Sequence, residues 1–103
     1  MKLIKEIAIH TEVLDWIGPN DLSIDALVFD SRKASRANVF VAIKGTTVDG
    51  HQFIQQVIDQ GCLCVVVEQV QELPATVTQI VVPSTAKALG EMAHAFYDFP
   101  SND

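Results

Sequence analysis

Residues 39–67 constrain the fold more than any other part of this chain. Val39-Phe40-Val41-Ala42-Ile43 is an uninterrupted apolar run, stopped by Lys44-Gly45. An apolar run of this length, bounded by a turn signal, reads as a buried strand. Residues 49–61 then carry Phe53, Ile54, Val57 and Ile58 at i, i+1, i+4 and i+5, one stripe of a helix. Asp49 stands as N-cap with Gln52 in capping-box position, and Gly61 stands where a left-handed C′ residue is wanted. Residues 62–67, Cys-Leu-Cys-Val-Val-Val, read as a second strand buried on both faces. Strand, helix and strand in this order make a βαβ unit, whose crossover is almost always right-handed.

The flanks extend the pattern. Leu3, Ile4 and Ile7 share a helical face, which predicts a short opening helix. A short extended segment is expected before the turn Gly18-Pro19-Asn20-Asp21. Residues 24–29 read as a strand ending at Asp30-Ser31-Arg32, and residues 78–82 as another, closed by Pro83. Ser84 or Thr85 caps a last helix with Leu89, Met92, Ala93 and Phe96 on one face, ended by Pro100. The expected fold is α/β: a small two-layer or three-layer domain, with a mostly parallel sheet flanked by helices. All 103 residues fit one domain.

Composition narrows the function classes. A formal charge of −6 leaves no basic face for nucleic acid. No apolar stretch is long enough to span a bilayer, and the N-terminus mixes Lys2, Lys5 and Glu6 into its apolar residues, unlike a secretory signal. No membrane partner is expected, and the expected location is cytoplasmic. Cys62 and Cys64, at i and i+2, are expected on one strand face as small buried hydrophobes. Three scattered histidines, His10, His51 and His94, do not make a metal site.

Two connections concentrate polar residues. One follows the strand ending at Phe29 and carries Asp30-Ser31-Arg32-Lys33; the other follows the strand ending at Ile43 and is Lys44-Gly45-Thr46-Thr47-Val48-Asp49-Gly50-His51. Ligands of open α/β sheets sit outside the carboxyl ends of the strands, so both are placed to share a site. Ser31, Thr46 and Thr47 offer hydroxyls, Gly45 and Gly50 permit close approach, and the following helix presents N–H groups to an anion. Arg32, Lys33, Lys44 and His51 add positive charge. Simpler readings stand beside these: a salt bridge for Asp30 and Arg32, a helix cap for Asp49, a first-turn polar residue for His51. Gly45-Thr46-Thr47 lacks the spacing and lysine of a P-loop. Asp25, Asp59, Glu68, Glu72 and Glu91 read as solvated charges, and no nucleophile–base pair is evident.

Taken in order, several segments resemble the N-terminal domain of Mur ligases. They are Asp30-Ser31-Arg32-Lys33, Val39-Phe40-Val41-Ala42-Ile43-Lys44-Gly45, Asp49-Gly50-His51-Gln52-Phe53-Ile54, Gly61 with Val65-Val66-Val67-Glu68, and the ending Phe96-Tyr97 with Pro100-Ser101. The resemblance runs from about Leu27 onward. It departs at Arg36-Ala37-Asn38, where family members usually have Pro-Gly-Asp. The Tyr97…Pro100-Ser101 ending is more similar to the tripeptide synthetase of the family than to the ligase that adds D-Ala-D-Ala.

The resemblance implies a substrate-binding domain for the UDP end of UDP-N-acetylmuramoyl-L-alanyl-D-glutamate, in an enzyme that joins a third amino acid to that precursor. Phe29 and Ser31 would contact the uridine diphosphate, and Thr46, Thr47 and Val48 would line the same site. No residue of this chain is assigned a catalytic or metal-binding role. ATP and Mg²⁺ would belong to the central domain of the full-length parent, which follows this ending in the family, and the incoming amino acid, L-lysine or meso-diaminopimelate, to its C-terminal domain. Two other readings stay open: the same domain of the D-Ala-D-Ala-adding ligase, and a non-catalytic scaffold. No oligomeric state is implied.

Overall fold

In the computed structural model, residues 2–44 and 49–97 are described. A five-stranded sheet holds β2 (Asp15–Ile17), β4 (Ala26–Val28), β5 (Asn38–Val41), β6 (Cys64–Val67) and β7 (Thr78–Val81) in the order β2-β7-β6-β5-β4. Four of these strands run parallel, and β2 pairs antiparallel on β7 at the edge. The expected mostly parallel sheet is therefore present. A separate two-stranded ribbon joins β1 (Lys2–Leu3) to β3 (Ser23–Ile24).

Alternation along the strands builds a core on each face. Val39, Val41, Cys64, Val66 and Ile80 point to one side, against Ile4 and Ile7 of α1 (Ile4–Ile7) and Ala88 and Met92 of α3 (Thr85–Tyr97). Phe40, Val65, Val67 and Val81 point to the other, against Ile54 and Val57 of α2 (Ile54–Asp59). The domain thus has three layers. Strands sandwiched between helices must be apolar on both faces, and β5 and β6 are buried at every position.

Several sequence expectations are corrected in detail. The strand expected over 24–29 is two: Ile24 belongs to the ribbon with β1, and exposed Asp25 separates it from β4. The Asp25 N–H is taken by the Ala37 carbonyl at 2.6 Å, which steers the chain between the two pairings. The helix expected over 49–61 starts as a 3₁₀ turn, Gly50–Phe53, and becomes α-helical only at Ile54. Asp49 does cap it, but its carboxylate accepts from the His51 N–H, and Gln52 uses its backbone N–H on the Asp49 carbonyl, in place of a capping box. Gly61 has φ +98°, the left-handed conformation anticipated for it.

On α3 the buried residues are Thr85, Ala88, Met92 and Ala95, with Leu89 and Phe96 packed alongside. Ala93 lies beside this stripe rather than on it. The Ser84 hydroxyl accepts from the Lys87 N–H at 3.3 Å, as a cap should. Cys62 and Cys64 are both fully buried, but they face opposite sides of the sheet, because Cys62 lies before β6 begins.

The departure at Arg36-Ala37-Asn38 has a physical answer. The Asn38 N–H closes a turn on the Ser35 carbonyl at 3.1 Å. The buried Asn38 side-chain carbonyl accepts from both the Ser35 N–H and the Ser35 hydroxyl, each at 2.9 Å. A side-chain amide thus fastens this turn without a glycine.

Candidate functional site

The site forms where β4 and β5, adjacent and parallel, reach their carboxyl ends. After β4 the chain passes through exposed Phe29 into Asp30, which caps the 3₁₀ turn Ser31–Lys33 by accepting from the Arg32 N–H at 3.0 Å. After β5 it passes through Ala42 and Ile43 to Lys44, which bridges antiparallel to Asp49. Gly50 returns its N–H to the Ile43 carbonyl at 2.7 Å. A cleft of about 670 Å³ opens between the two connections, lined by Phe29, Asp30, Ser31, Arg32, Ile43, Gly50, Phe53 and Gln56.

Phe29 and Ser31 both line this one cleft. Thr46, Thr47 and Val48 fall outside the described residues; the residues that flank them, Ile43 and Gly50, form the wall facing Ser31. Ile43, Phe53 and Gln56 are site residues that sequence reasoning missed. Phe53 reads as part of the apolar stripe of the helix, and it does pack against the core while also lining the cleft. Gln56, one helical turn after Phe53, carried the only available signal: a polar side chain on the edge of that stripe.

The chemistry of the lining is mixed. Phe29, Phe53 and Ile43 supply apolar and aromatic surface, while Ser31, Gln56 and the backbone supply hydrogen-bonding groups. Such a cleft suits a flat ring with a polar extension. Gly50 is required by its neighbours. A Cβ there would stand 2.8 Å from the Ile43 nitrogen and 3.0 Å from the Ala42 carbonyl carbon.

Electrostatics differ from the sequence expectation. Arg32 is not an isolated positive charge: its Nη2 and Nε donate to the two Asp30 oxygens at 2.9 and 3.1 Å. That side-chain bond, helped by the Arg32 backbone N–H, holds the Asp30 carboxyl at about 2. His51 is likewise committed, with its Nδ1 2.7 Å from Asp49 Oδ1. The backbone and ring hydrogen bonds from His51 hold the Asp49 carboxyl below the usual carboxylate range. Asp49 also occupies the start of the following 3₁₀ turn, so the helix N-terminus is not open to an anion as the sequence suggested. Lys33 and Lys44 remain as exposed cations beside the cleft.

His51 reaches across to the Glu68 N–H, which donates to its Nε2 at 2.9 Å. That lone pair is thereby engaged by the backbone of the β6 end. Glu68 is half-buried rather than solvated, and its Oε2 accepts from the Thr85 N–H and hydroxyl at 2.9 and 3.1 Å. Among the described residues, no three His, Cys, Asp or Glu side chains converge as metal ligands would, and no helix is long and apolar enough to cross a membrane.

Comparison with known proteins places this geometry. The chain is 49% identical over 90 residues to the UDP-N-acetylmuramoyl-L-alanyl-D-glutamate--L-lysine ligase of Staphylococcus epidermidis, covering 87% of this chain and 18% of that protein. Against the enzyme of the same name from Staphylococcus aureus it is 49% identical over 86 residues, covering 84% of this chain and 17% of that protein. The chain thus spans less than a fifth of these relatives. In structure it is similar to the UDP-N-acetylmuramoylalanyl-D-glutamyl-2,6-diaminopimelate--D-alanyl-D-alanyl ligase of Acinetobacter baumannii, with a TM-score of 0.77 and 28% identity over 91% of this chain and 21% of that one. The MurF ligase of Thermotoga maritima in complex with ADP gives a TM-score of 0.60 at 28% identity, over 74% of this chain and 17% of that one. The pattern that defines the Mur ligase family, catalytic domain, matches residues 23–97, from the ribbon strand β3 through the end of α3 and across both connections that wall the cleft. That match takes in most of the chain, and the chain belongs to the Mur ligase family.

Proposed function

We propose that this chain is the N-terminal, substrate-binding domain of a Mur ligase and holds the UDP-N-acetylmuramoyl end of its precursor. The carrying observation is the cleft at the carboxyl ends of β4 and β5, where Phe29 and Ser31 face Ile43 and Gly50. In this reading the uracil lies against the aromatic lining and the pyrophosphate is held by Ser31 with Thr46, Thr47 and Val48. These are binding roles; the bond-forming chemistry, with its ATP and Mg²⁺, belongs to the remainder of the full-length protein in the cytoplasm.

The parent reaction is the ATP-dependent joining of a third amino acid to UDP-N-acetylmuramoyl-L-alanyl-D-glutamate. Support comes from the 49% identity to ligases named for L-lysine, against 28% to the D-alanyl-D-alanyl ligases of the same fold. A titration of the ¹⁵N-labelled chain with UDP-N-acetylmuramic acid, UDP and AMP tests the binding role. Shifts at Ser31, Gly50 and Gln56 with the two uridine compounds and none with AMP are expected. No response at millimolar UDP-N-acetylmuramic acid would leave a scaffold role in its place. For the full-length protein, product formation with L-lysine, meso-diaminopimelate or D-Ala-D-Ala identifies the added residue; a D-Ala-D-Ala product would overturn the third-residue reading.

A further inference from the structure

Glu68, the first residue after β6, is tied to both stems of the second connection. On one side its backbone N–H donates to His51 Nε2, which makes Nδ1 the protonated nitrogen and the donor to Asp49. On the other side its Oε2 accepts from the Thr85 hydroxyl, and Thr85 Oγ1 accepts from the Lys44 N–H at 3.3 Å. Lys44 and Asp49 are bridge partners, so the two routes end at facing residues. The same Oε2 takes the Thr85 N–H at the first turn of α3, where a carboxylate also meets the positive end of the helix dipole. A small hollow lined by Lys44, Asp49, His51, Glu68 and Gln69 marks the network and shares no lining residue with the cleft.

We infer that Glu68, His51 and Thr85 are positioning residues: together they form a clasp that fixes Ile43 and Gly50 as the second wall of the cleft. They touch no ligand. The inference rests on the reading of the cleft as a UDP-sugar site. Its physical logic is that the stems of this connection leave the sheet at β5, and the neighbouring β6 end and α3 supply the groups that hold them. Glu68 joins β6 to α3 at that level.

Amide hydrogen exchange and UDP-N-acetylmuramic acid titration of the same variants test it. Thr85→Val and Glu68→Ala are expected to speed exchange at Lys44, and His51→Ala at Gly50, by about tenfold, the loss of one good hydrogen bond. Val65 and Val66 amides serve as the folding control. Thr85→Ser and Glu68→Gln keep a hydroxyl and an acceptor and are expected to restore both protection and affinity. Unchanged exchange at Lys44 and Gly50 in the disrupted variants overturns the clasp. So does equal ligand affinity across all variants, if the wild-type chain binds. Should a disrupted variant lose the Val65 and Val66 control, the decision passes to Thr85→Ser and Glu68→Gln. Wild-type protection and tautomer in those two, with ¹⁵N shifts of His51 showing a protonated Nδ1, support the clasp; an Nε2–H tautomer overturns it. A wild-type chain that binds no UDP-sugar overturns the reading of the cleft, while the exchange data still decide whether the clasp braces its wall.

Discussion

The side-chain amide of Gln60 donates to the backbone carbonyl of Ser31 at 2.7 Å and, with its second hydrogen, to that of Ala34 at 2.8 Å. Gln60 closes the helix that follows one wall of the cleft, and Ser31 opens the turn that forms the other. The two walls are thereby held in register across 29 residues of sequence. Replacing Gln60 with Leu keeps the bulk and removes both donors. We expect a modest loss of stability, about 0.5–1.5 kcal/mol by urea unfolding, and a larger relative loss of UDP-sugar affinity than of stability. Equal affinity would separate the Ser31 turn from binding.

Gly50→Ala is expected to be costly although alanine is small. The added Cβ meets backbone atoms of Ile43 and Ala42, which have no rotamer to move aside. Overpacking of this kind destabilises by about 1–3 kcal/mol, a drop in Tm of roughly 4–8 °C per kcal/mol for a domain this size. Calorimetry checks it. Gly90→Ala, where the new carbon would meet nothing within 4 Å beyond the adjoining backbone of its own helix, is the matched control and should not lower Tm.

The Asp30–Arg32 pair sets an acid limit for the first wall. The Asp30 carboxyl lies at about 2, below its ordinary 3.8, first because of the Arg32 side chain and then the Arg32 N–H. A depressed value means the folded turn favours the charged form. Its contribution is complete above 3.8 and is lost as pH falls through about 2. Following the Asp30 carboxyl carbon by NMR should give a midpoint near 2 in the wild type, moving up toward 3.8 in Arg32→Gln. A midpoint already at the ordinary value would show that the pair is not formed in solution.

Asn38→Ala removes the acceptor that gathers the Ser35 N–H and hydroxyl. Asn38 is buried but Ser35 is exposed, so water can take up the freed donors, and a loss of about 0.5–1.5 kcal/mol is expected, the range for ordinary hydrogen bonds. Asn38→Asp keeps an acceptor and should lose less. Equal unfolding midpoints for Asn38→Ala and wild type would refute the account of this turn.

The sheet was legible because its strands declare themselves: Val39-Phe40-Val41 and Val65-Val66-Val67 are apolar at consecutive positions, and only burial on both faces explains that. The break at Asp25 was not legible. It depends on a hydrogen bond to Ala37, distant in sequence, and local propensity carries no trace of it. At the cleft, Ser31 stood out from its place after a strand and Phe29 only through the family resemblance, whereas Ile43, Phe53 and Gln56 were hidden because each also fits a helix or strand pattern. The roles of Glu68 and Gln60 were invisible for a common reason: a single charged or amide side chain at a sheet or helix end looks solvated until its tertiary partners are known.

The two native thiols bear on how the protein can be handled. Cys62 and Cys64 are each sealed from solvent, and burial pushes both thiols up, Cys64 most strongly, so neither presents a thiolate at neutral pH. Maleimide chemistry in the folded state will pass them by. A single cysteine placed at exposed Lys33 or Gln56 will then take a fluorophore alone, giving a reporter at the cleft mouth without first stripping the sheet of its own sulfur.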